Sequence, residues 1–181
     1  MNRTEEAVKL VKILSFLEEY NIQNATINKD FTVDVDGNVY LSGKNLNEIP
    51  IQFGKVTGYF NCSRNNLTTL KGSPEEIGGS FYCRWNKLTT LEGCPKYVNL
   101  GFYCGNNQLT SLEGCPREIE GDFCCNNNQL SSLVGIPKKI GHQLDCTNNS
   151  DLKSLKGIGV VHGKIYSDFF VGKLEDYNGE L

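Results

Sequence analysis

The feature that most constrains this chain is a fixed period of 21 residues. The pattern Phe60-x-Cys62-x-x-Asn65-x-Leu67-x-x-Leu70 recurs in step from Phe81, Phe102 and Phe123, ending at Leu91, Leu112 and Leu133. The register extends back to Val39-x-Leu41 with Leu46 and Ile49, and forward to Leu144-x-Cys146 with Asn149 and on to Ile165. Three further columns keep the same spacing: Val56, Ile77, Val98, Ile119, Ile140 and Val161; Gly72, Gly93, Gly114 and Gly135; Pro74, Pro95, Pro116 and Pro137. One such unit offers about five inward apolar groups and cannot build a core alone, so each must be buried against the next. The expectation is a solenoid of about seven turns over residues 39–171.

Within a turn, Phe-x-Cys alternates as a short strand with two side chains facing in, and stacked turns would pair these strands into a parallel sheet. The Asn column follows at a tight bend, where an amide side chain can satisfy backbone groups the bend leaves unpaired. The Gly-x-Pro segment predicts an extended, turn-rich return, because Pro fixes its own backbone and disfavours helix before it. Departures gather at the ends: Lys44 and Phe170 replace the bend Asn, and Asp151 stands where Leu is expected, with Leu152 one position late. Solenoid ends differ from the middle because their open faces need covering.

Residues 1–38 are predicted to form the N-terminal cap. Thr4 would cap a helix over about 5–20, with Ala7, Leu10, Val11, Leu14 and Leu17 on the face laid over the first turn. A strand over about 31–35 would lead through Asp36-Gly37, a two-residue hairpin signal, into Val39. At the other end, Phe169, Phe170 and Val171 are expected to close the stack, leaving 172–181 as a C-terminal tail.

A length of 181 residues with 39% apolar and 22% charged residues fits one globular domain. The net charge of -3 argues against nucleic acid, which is drawn to clustered Lys and Arg. No run approaches the roughly 20 apolar residues of a membrane span. Met1 to Glu6 lacks the basic-then-apolar order of a secretory signal, so a cytoplasmic location is expected.

Eight cysteines raise the question of disulfides, metal or catalysis. Cys62, Cys83, Cys104, Cys125 and Cys146 form one inward column, where Cys behaves as a small hydrophobe. Parallel side chains on stacked strands stand too far apart for a disulfide ladder, and a row of thiols does not make a zinc tetrahedron. Cys94 and Cys115 sit in the Gly-Cys-Pro returns and are expected to be exposed enough to pair under oxidation. Cys124 points to the open side, but a thiol nucleophile needs a base, and the only histidines, His142 and His162, fall in columns before the strand. Asp122, Asp145 and Asp168 read as solvated acids on separate rungs. These features predict no catalytic, metal or cofactor site, and the chain is not expected to be an enzyme.

Strand alternation defines the open face as the positions one before and one, three and four after the Phe column. Its early half concentrates Tyr59, Arg64, Tyr82, Arg84, Trp85 and Tyr103, the residue types enriched in protein-binding hot spots. Trp85 fills a position occupied elsewhere by Asn or Arg, so the core does not require an aromatic ring there. Strand propensity alone is the competing explanation for such residues. The expectation is a partner-binding patch centred on Trp85, with self-association left open.

The repeat resembles the leucine-rich repeat, Leu-x-x-Leu-x-Leu-x-x-Asn-x-Leu, with Phe and Cys standing for the second and third Leu. It is similar to the short bacterial class found in secreted effectors. It is closer to leucine-rich-repeat proteins encoded by tailed bacteriophages, which carry runs such as Phe81-Tyr82-Cys83-Arg84-Trp85-Asn86-Lys87-Leu88-Thr89-Thr90-Leu91-Glu92-Gly93-Cys94-Pro95 after an opening like Val33-Asp34-Val35-Asp36-Gly37-Asn38-Val39. The resemblance implies a leucine-rich repeat solenoid with its parallel β-sheet on the concave face. It also implies a phage-encoded, non-enzymatic module that binds a protein of the bacterial host, such as a defence or regulatory protein. The alternative is a virion or surface component that recognises a receptor or glycan. Effectors with similar repeats that act as ubiquitin ligases carry a separate catalytic domain after the repeats, and here only a short tail follows.

Overall fold

Two inward columns per turn, separated by a short corner, convert the 21-residue period into two parallel ladders. The structure, a computed structural model, describes residues 3–179. The front ladder stacks Val39–Tyr40, Phe60–Asn61, Phe81–Tyr82, Phe102–Tyr103, Phe123–Cys124, Leu144–Asp145 and Ile165–Tyr166, with Phe60 opposite Phe81 and every later pair shifted by the period. The return carries a second ladder of Val33–Val35, Phe53–Val56, Glu76–Ile77, Tyr97–Val98, Glu118–Ile119, Lys139–Ile140 and Val160–Val161. The chain is therefore a β-solenoid of about six turns with an N-terminal helix. The return was expected to be merely extended. It pairs because the Val/Ile column alternates with an outward Glu, Lys or Tyr, which makes a minimal strand with one buried face.

Phe53, Phe60, Phe81, Phe102 and Phe123 are buried between the ladders in a continuous aromatic stack, with ring centroids 5.1, 6.0, 5.2 and 5.8 Å apart. The five column cysteines are buried beside them, and the Sγ of Cys62 and Cys146 approach the Tyr82 and Tyr166 carbonyls of the following rung at 3.5 and 3.4 Å.

The bend asparagines tie rung to rung. Asn128 Nδ2 donates to the Cys125 carbonyl of its own rung at 3.0 Å and to the Cys104 carbonyl of the preceding rung at 3.2 Å, while its Oδ1 accepts Leu109 N at 2.9 Å. Asn65, Asn86, Asn107 and Asn149 repeat this set. In the last turn Ser167 takes the Cys position and bonds the Phe170 carbonyl through its hydroxyl at 3.0 Å. The late Leu152 is accommodated by a turn in which its N–H reaches Asn149 O at 2.9 Å. Gly159 alone, with no Pro, then separates Ile158 from Val160, one residue fewer than other turns carry there, which restores the register so that Val161 pairs opposite Ile140.

Three expectations for the caps are corrected. The α-helix runs Arg3–Glu19, which puts Thr4 inside its first turn. Its buried side chains are Ile13 and Phe16, the latter 6.5 Å from Phe53, with Leu17 and Tyr20 packed alongside. Of the face expected to be buried only Leu17 is covered, and Val11 and Leu14 are 62% and 51% exposed. Asp36-Gly37 is not a hairpin turn. Val35 lies 21 residues before Val56 and already belongs to the return ladder, so Asp36-Gly37 forms the corner between ladders, where Thr57 Oγ1 accepts Gly37 N and donates to Asp36. The hairpin lies upstream, between Ala25–Ile27 and Val33–Val35.

At the C-terminus, Val171–Gly172 caps the front ladder antiparallel to Ile165–Tyr166, and a 3₁₀ turn at Leu174–Asp176 brings Tyr177 to 5.1 Å from the Phe170 ring. Each ladder thus carries an antiparallel closing strand, at opposite ends of the stack.

Removing a bend amide strands two carbonyls and an N–H inside the stack. Asn128→Ala is expected to lower stability by about 3 kcal/mol in urea unfolding, whereas Gln129→Ala, at the exposed neighbouring position, changes it by less than about 0.5 kcal/mol.

Candidate functional site

The outward side chains of the front ladder are displayed at fixed spacing, because every rung repeats the same backbone. Tyr82 and Tyr103 occupy one column on adjacent rungs and stack with centroids 4.8 Å apart and planes within 3°. Tyr59 comes from the column before the strand and meets the edge of Tyr82 at 6.3 Å, and Tyr40 meets Tyr59 at 5.1 Å with the two hydroxyls in contact. The row Tyr40, Tyr59, Tyr82, Tyr103 is therefore continuous across four rungs. Its far end is anchored by Asp122, which accepts the Tyr103 hydroxyl at 3.2 Å. Burial and the neighbouring Asp122 carboxylate push the Tyr103 phenol up to about 12.

A second row runs beside the first. The Arg64 guanidinium lies over the Trp85 ring at 4.6 Å, and the Arg84 guanidinium lies over Tyr103 at 4.6 Å. All six residues predicted from the sequence, Tyr59, Arg64, Tyr82, Arg84, Trp85 and Tyr103, thus share one face, in two contact groups: Tyr59, Tyr82, Tyr103 and Arg84 in one, Arg64 and Trp85 in the other. Tyr40, 55% exposed, was missed. Its signal was available, since it stands two periods before Tyr82.

The backbone adds a fact that periodicity does not carry. Gly43, Arg64, Trp85, Asn106, Asn127 and Asn148 form one column, and all six have φ between 52 and 67°. Asn tolerates this left-handed region, whereas a bulky residue there is a rare outlier. Trp85 adopts it at φ 52° and remains 45% exposed. Three turns carry Asn here and one carries Gly43, and in two adjacent turns the chain carries Arg and Trp instead. Strain of this kind, about 1 to 3 kcal/mol, persists where surrounding structure over-determines it and gathers at functional sites.

The other candidates resolve into structural roles. Asp168 accepts the Asn148 and Asn149 N–H groups at 2.9 and 3.2 Å, Asp145 accepts Thr147 N at 3.1 Å, and Asp122 accepts Gln143 N at 3.2 Å, so these acids hold backbone as well as facing solvent. Cys94 and Cys115 are half-buried against the core in a column shared with Ser73, Ile136 and Ile158, each of whose N–H closes a turn onto a Leu three residues back. Both are free thiols, and the expected exposure is corrected: Cys94 Sγ contacts Gly114 O at 2.9 Å, and burial pushes its thiol up to about 12. Cys124 is pushed up to about 11 by burial, against a smaller downward pull from Arg84. A thiol with that value is protonated at neutral pH and is a poor nucleophile. Among the described residues no group of three His, Cys, Asp or Glu is arranged to hold a metal ion, and no helix is long and apolar enough to cross a membrane.

Comparison of the chain with protein-family profiles, with curated proteins and with solved structures returned no match.

Two expected outcomes follow from the thiols. Iodoacetamide labels Cys124 in the folded protein about two orders of magnitude more slowly than a free thiol at neutral pH, with the rate rising about tenfold per pH unit towards pH 11, as read by mass spectrometry. Burial also raises Cys62 and Cys146 to about 12, and Cys83, Cys104 and Cys125 in the same direction. Both folded and unfolded chains keep these protons below about pH 8.5, whereas above it the unfolded chain loses them first. Stability therefore falls as pH rises from there, by up to about 1.4 kcal/mol per unit for each buried thiol, and Cys104→Ala should make the decline in urea midpoint shallower.

Proposed function

We propose that this chain is a leucine-rich-repeat type of solenoid and a non-enzymatic protein-interaction module, with the front ladder's open face as its binding surface. The classification is supported by the agreement of the Phe, Cys, Asn and Leu columns with that repeat, each column inward and in register. The binding role is carried by one observation. Trp85 and Arg64 hold left-handed backbone positions that other turns give to Asn or Gly, and they do so on the same rungs that carry the continuous row of tyrosines. A covering role for a half-buried sheet would not need either residue at the bend. Large aromatic anchors displayed on a rigid frame supply contact area with little loss of conformational entropy on binding.

The partner in this reading is a protein of a bacterial host, met in the cytoplasm by a phage-encoded binder. Host and origin rest on the sequence resemblance alone. The stacked Tyr82 and Tyr103 pair also suits a sugar ring, which keeps a virion or surface component recognising a glycan as the second reading.

The test is capture from a bacterial lysate by the native protein, by Trp85→Ala and by Arg84→Glu, with retained proteins identified by mass spectrometry. A host protein held by the native form and lost by both variants, with thermal unfolding nearly unchanged, is the expected result. Trp85→Asn should even stabilise the fold, by about 1 kcal/mol in urea unfolding, because it removes the backbone strain while losing only a ring-cation contact of about 0.5 to 1 kcal/mol. Partners retained equally by all forms would reject the front face as the binding surface.

A further inference from the structure

Four lysines on the return side of this solenoid are paired, whereas the two arginines of the open face are not. On the return side the chain pairs charges across rungs: Lys55 with Glu76 at 3.5 Å, Lys71 with Glu92 at 3.0 Å, Lys139 with Glu120 at 2.8 Å, and Lys96 with Glu75. On the open face, Arg64 and Arg84 have no carboxylate within ion-pair distance among the described residues. The positions one rung away in their own columns are Gly43 and Trp85 for Arg64, and Ser63 and Gly105 for Arg84, so no acid stands where the period could have placed one. Asp122 is already engaged by the Tyr103 hydroxyl and Gln143 N. Both guanidinium groups lie instead on aromatic rings, the Arg84 side chain also bonds the Cys124 thiol, and Arg84 Nε is shut off from solvent with no acceptor among the described residues. A guanidinium held flat on a ring has its geometry set, which suits capture of a carboxylate through its terminal nitrogens.

We propose that the partner presents an acidic side chain, Asp or Glu, next to an aromatic or large apolar residue. The carboxylate pairs with Arg84 and Arg64, and the apolar group lies against Trp85 and the tyrosine row. This rests on the reading of the front face as a protein-binding surface, and it names the chemistry of what binds there. Ser63 and Gly105 flank Arg84 with little or no side chain, so a carboxylate can approach the cation from solvent without displacing a bulky neighbour. A polyanion such as a nucleic acid fits less well. Asp122, Asp145 and Asp168 continue along the same face and would repel phosphates beyond the two arginines.

The experiment selects a displayed random-peptide library on the immobilised full-length protein, with Trp85→Ala and the double variant Arg64→Met/Arg84→Met as parallel baits. A synthetic copy of the most enriched peptide is then titrated by fluorescence anisotropy at low and high salt. The expected result is enrichment of Asp or Glu beside an aromatic or apolar residue, about tenfold or greater loss of affinity on the double arginine variant, and weakening by salt. Replacing the peptide's Glu by Gln, which leaves the protein's fold untouched, should cost a similar factor. Acid-free peptides that need Trp85 but bind the arginine variant equally well would overturn the acidic partner and leave the interaction face standing. Peptides indifferent to both variants, or no enrichment at all, would overturn both. Arginine-dependent binding of a short oligothymidine, run beside the peptides, would replace the proposal with a nucleic-acid partner.

Discussion

The rest of this molecule depends on the amide of one asparagine per turn. A 21-residue unit has too little apolar surface to fold alone, so the register between neighbouring units has to be specified locally. The bend asparagine does this by spending both ends of its amide on two rungs at once. Nδ2 donates to the Cys carbonyl of its own rung and of the one before, and Oδ1 accepts a Leu N–H of the preceding turn. A slip of one residue would flip the inward Phe and Cys to the open face and break these bonds together. Where the sequence does slip, at Leu152, it does so just beyond the last such asparagine and recovers before Val161.

That regularity is what makes the open face a rigid display surface. The same bend that requires Asn on one side of the strand places a left-handed residue next to it, so each turn contributes one outward side chain from a conformation few residues adopt. Asn fills this position in three turns, Gly43 in one, and Arg64 and Trp85 in two. The tyrosine row lies alongside, zigzagging from Tyr40 through Tyr59 because Asn61 takes the strand position in that rung and bonds Ser63 N at 3.0 Å. Core and face are thus independent in design. The inward columns repeat almost unchanged while the outward ones vary from aromatic and cationic at one end to polar and acidic at the other.

Cysteine serves the core for a physical reason as well. Between a stacked phenylalanine column and a leucine column, a thiol is small enough to fit at rung spacing and polarisable enough to meet a carbonyl of the next rung. Burial keeps these thiols protonated, so a cysteine-rich chain presents few reactive sulfurs while it is folded.

The solenoid, the inward Phe and Cys columns, the bridging asparagines and the six residues of the face were all legible in the sequence, because a strict period converts sequence spacing directly into spatial neighbourhood. Tyr40 needed only one more application of the same period. Other features were decided by tertiary structure. Beyond its first two strands the return ladder rests on two-residue strands, too short for alternation to distinguish from an extended turn until neighbouring rungs supply the hydrogen bonds. The helix carries two apolar stripes, and only the position of Phe53 at the open end of the stack selects the one with Ile13 and Phe16 over the one with Val11 and Leu14. The left-handed bend column is a property of how backbone closes each turn, which the identities Asn, Arg and Trp do not announce. Sequence by itself determined the repeat and what faces in or out, since those follow from period and polarity. Tertiary structure decided which surfaces found partners, since that depends on where each rung's neighbours come to rest.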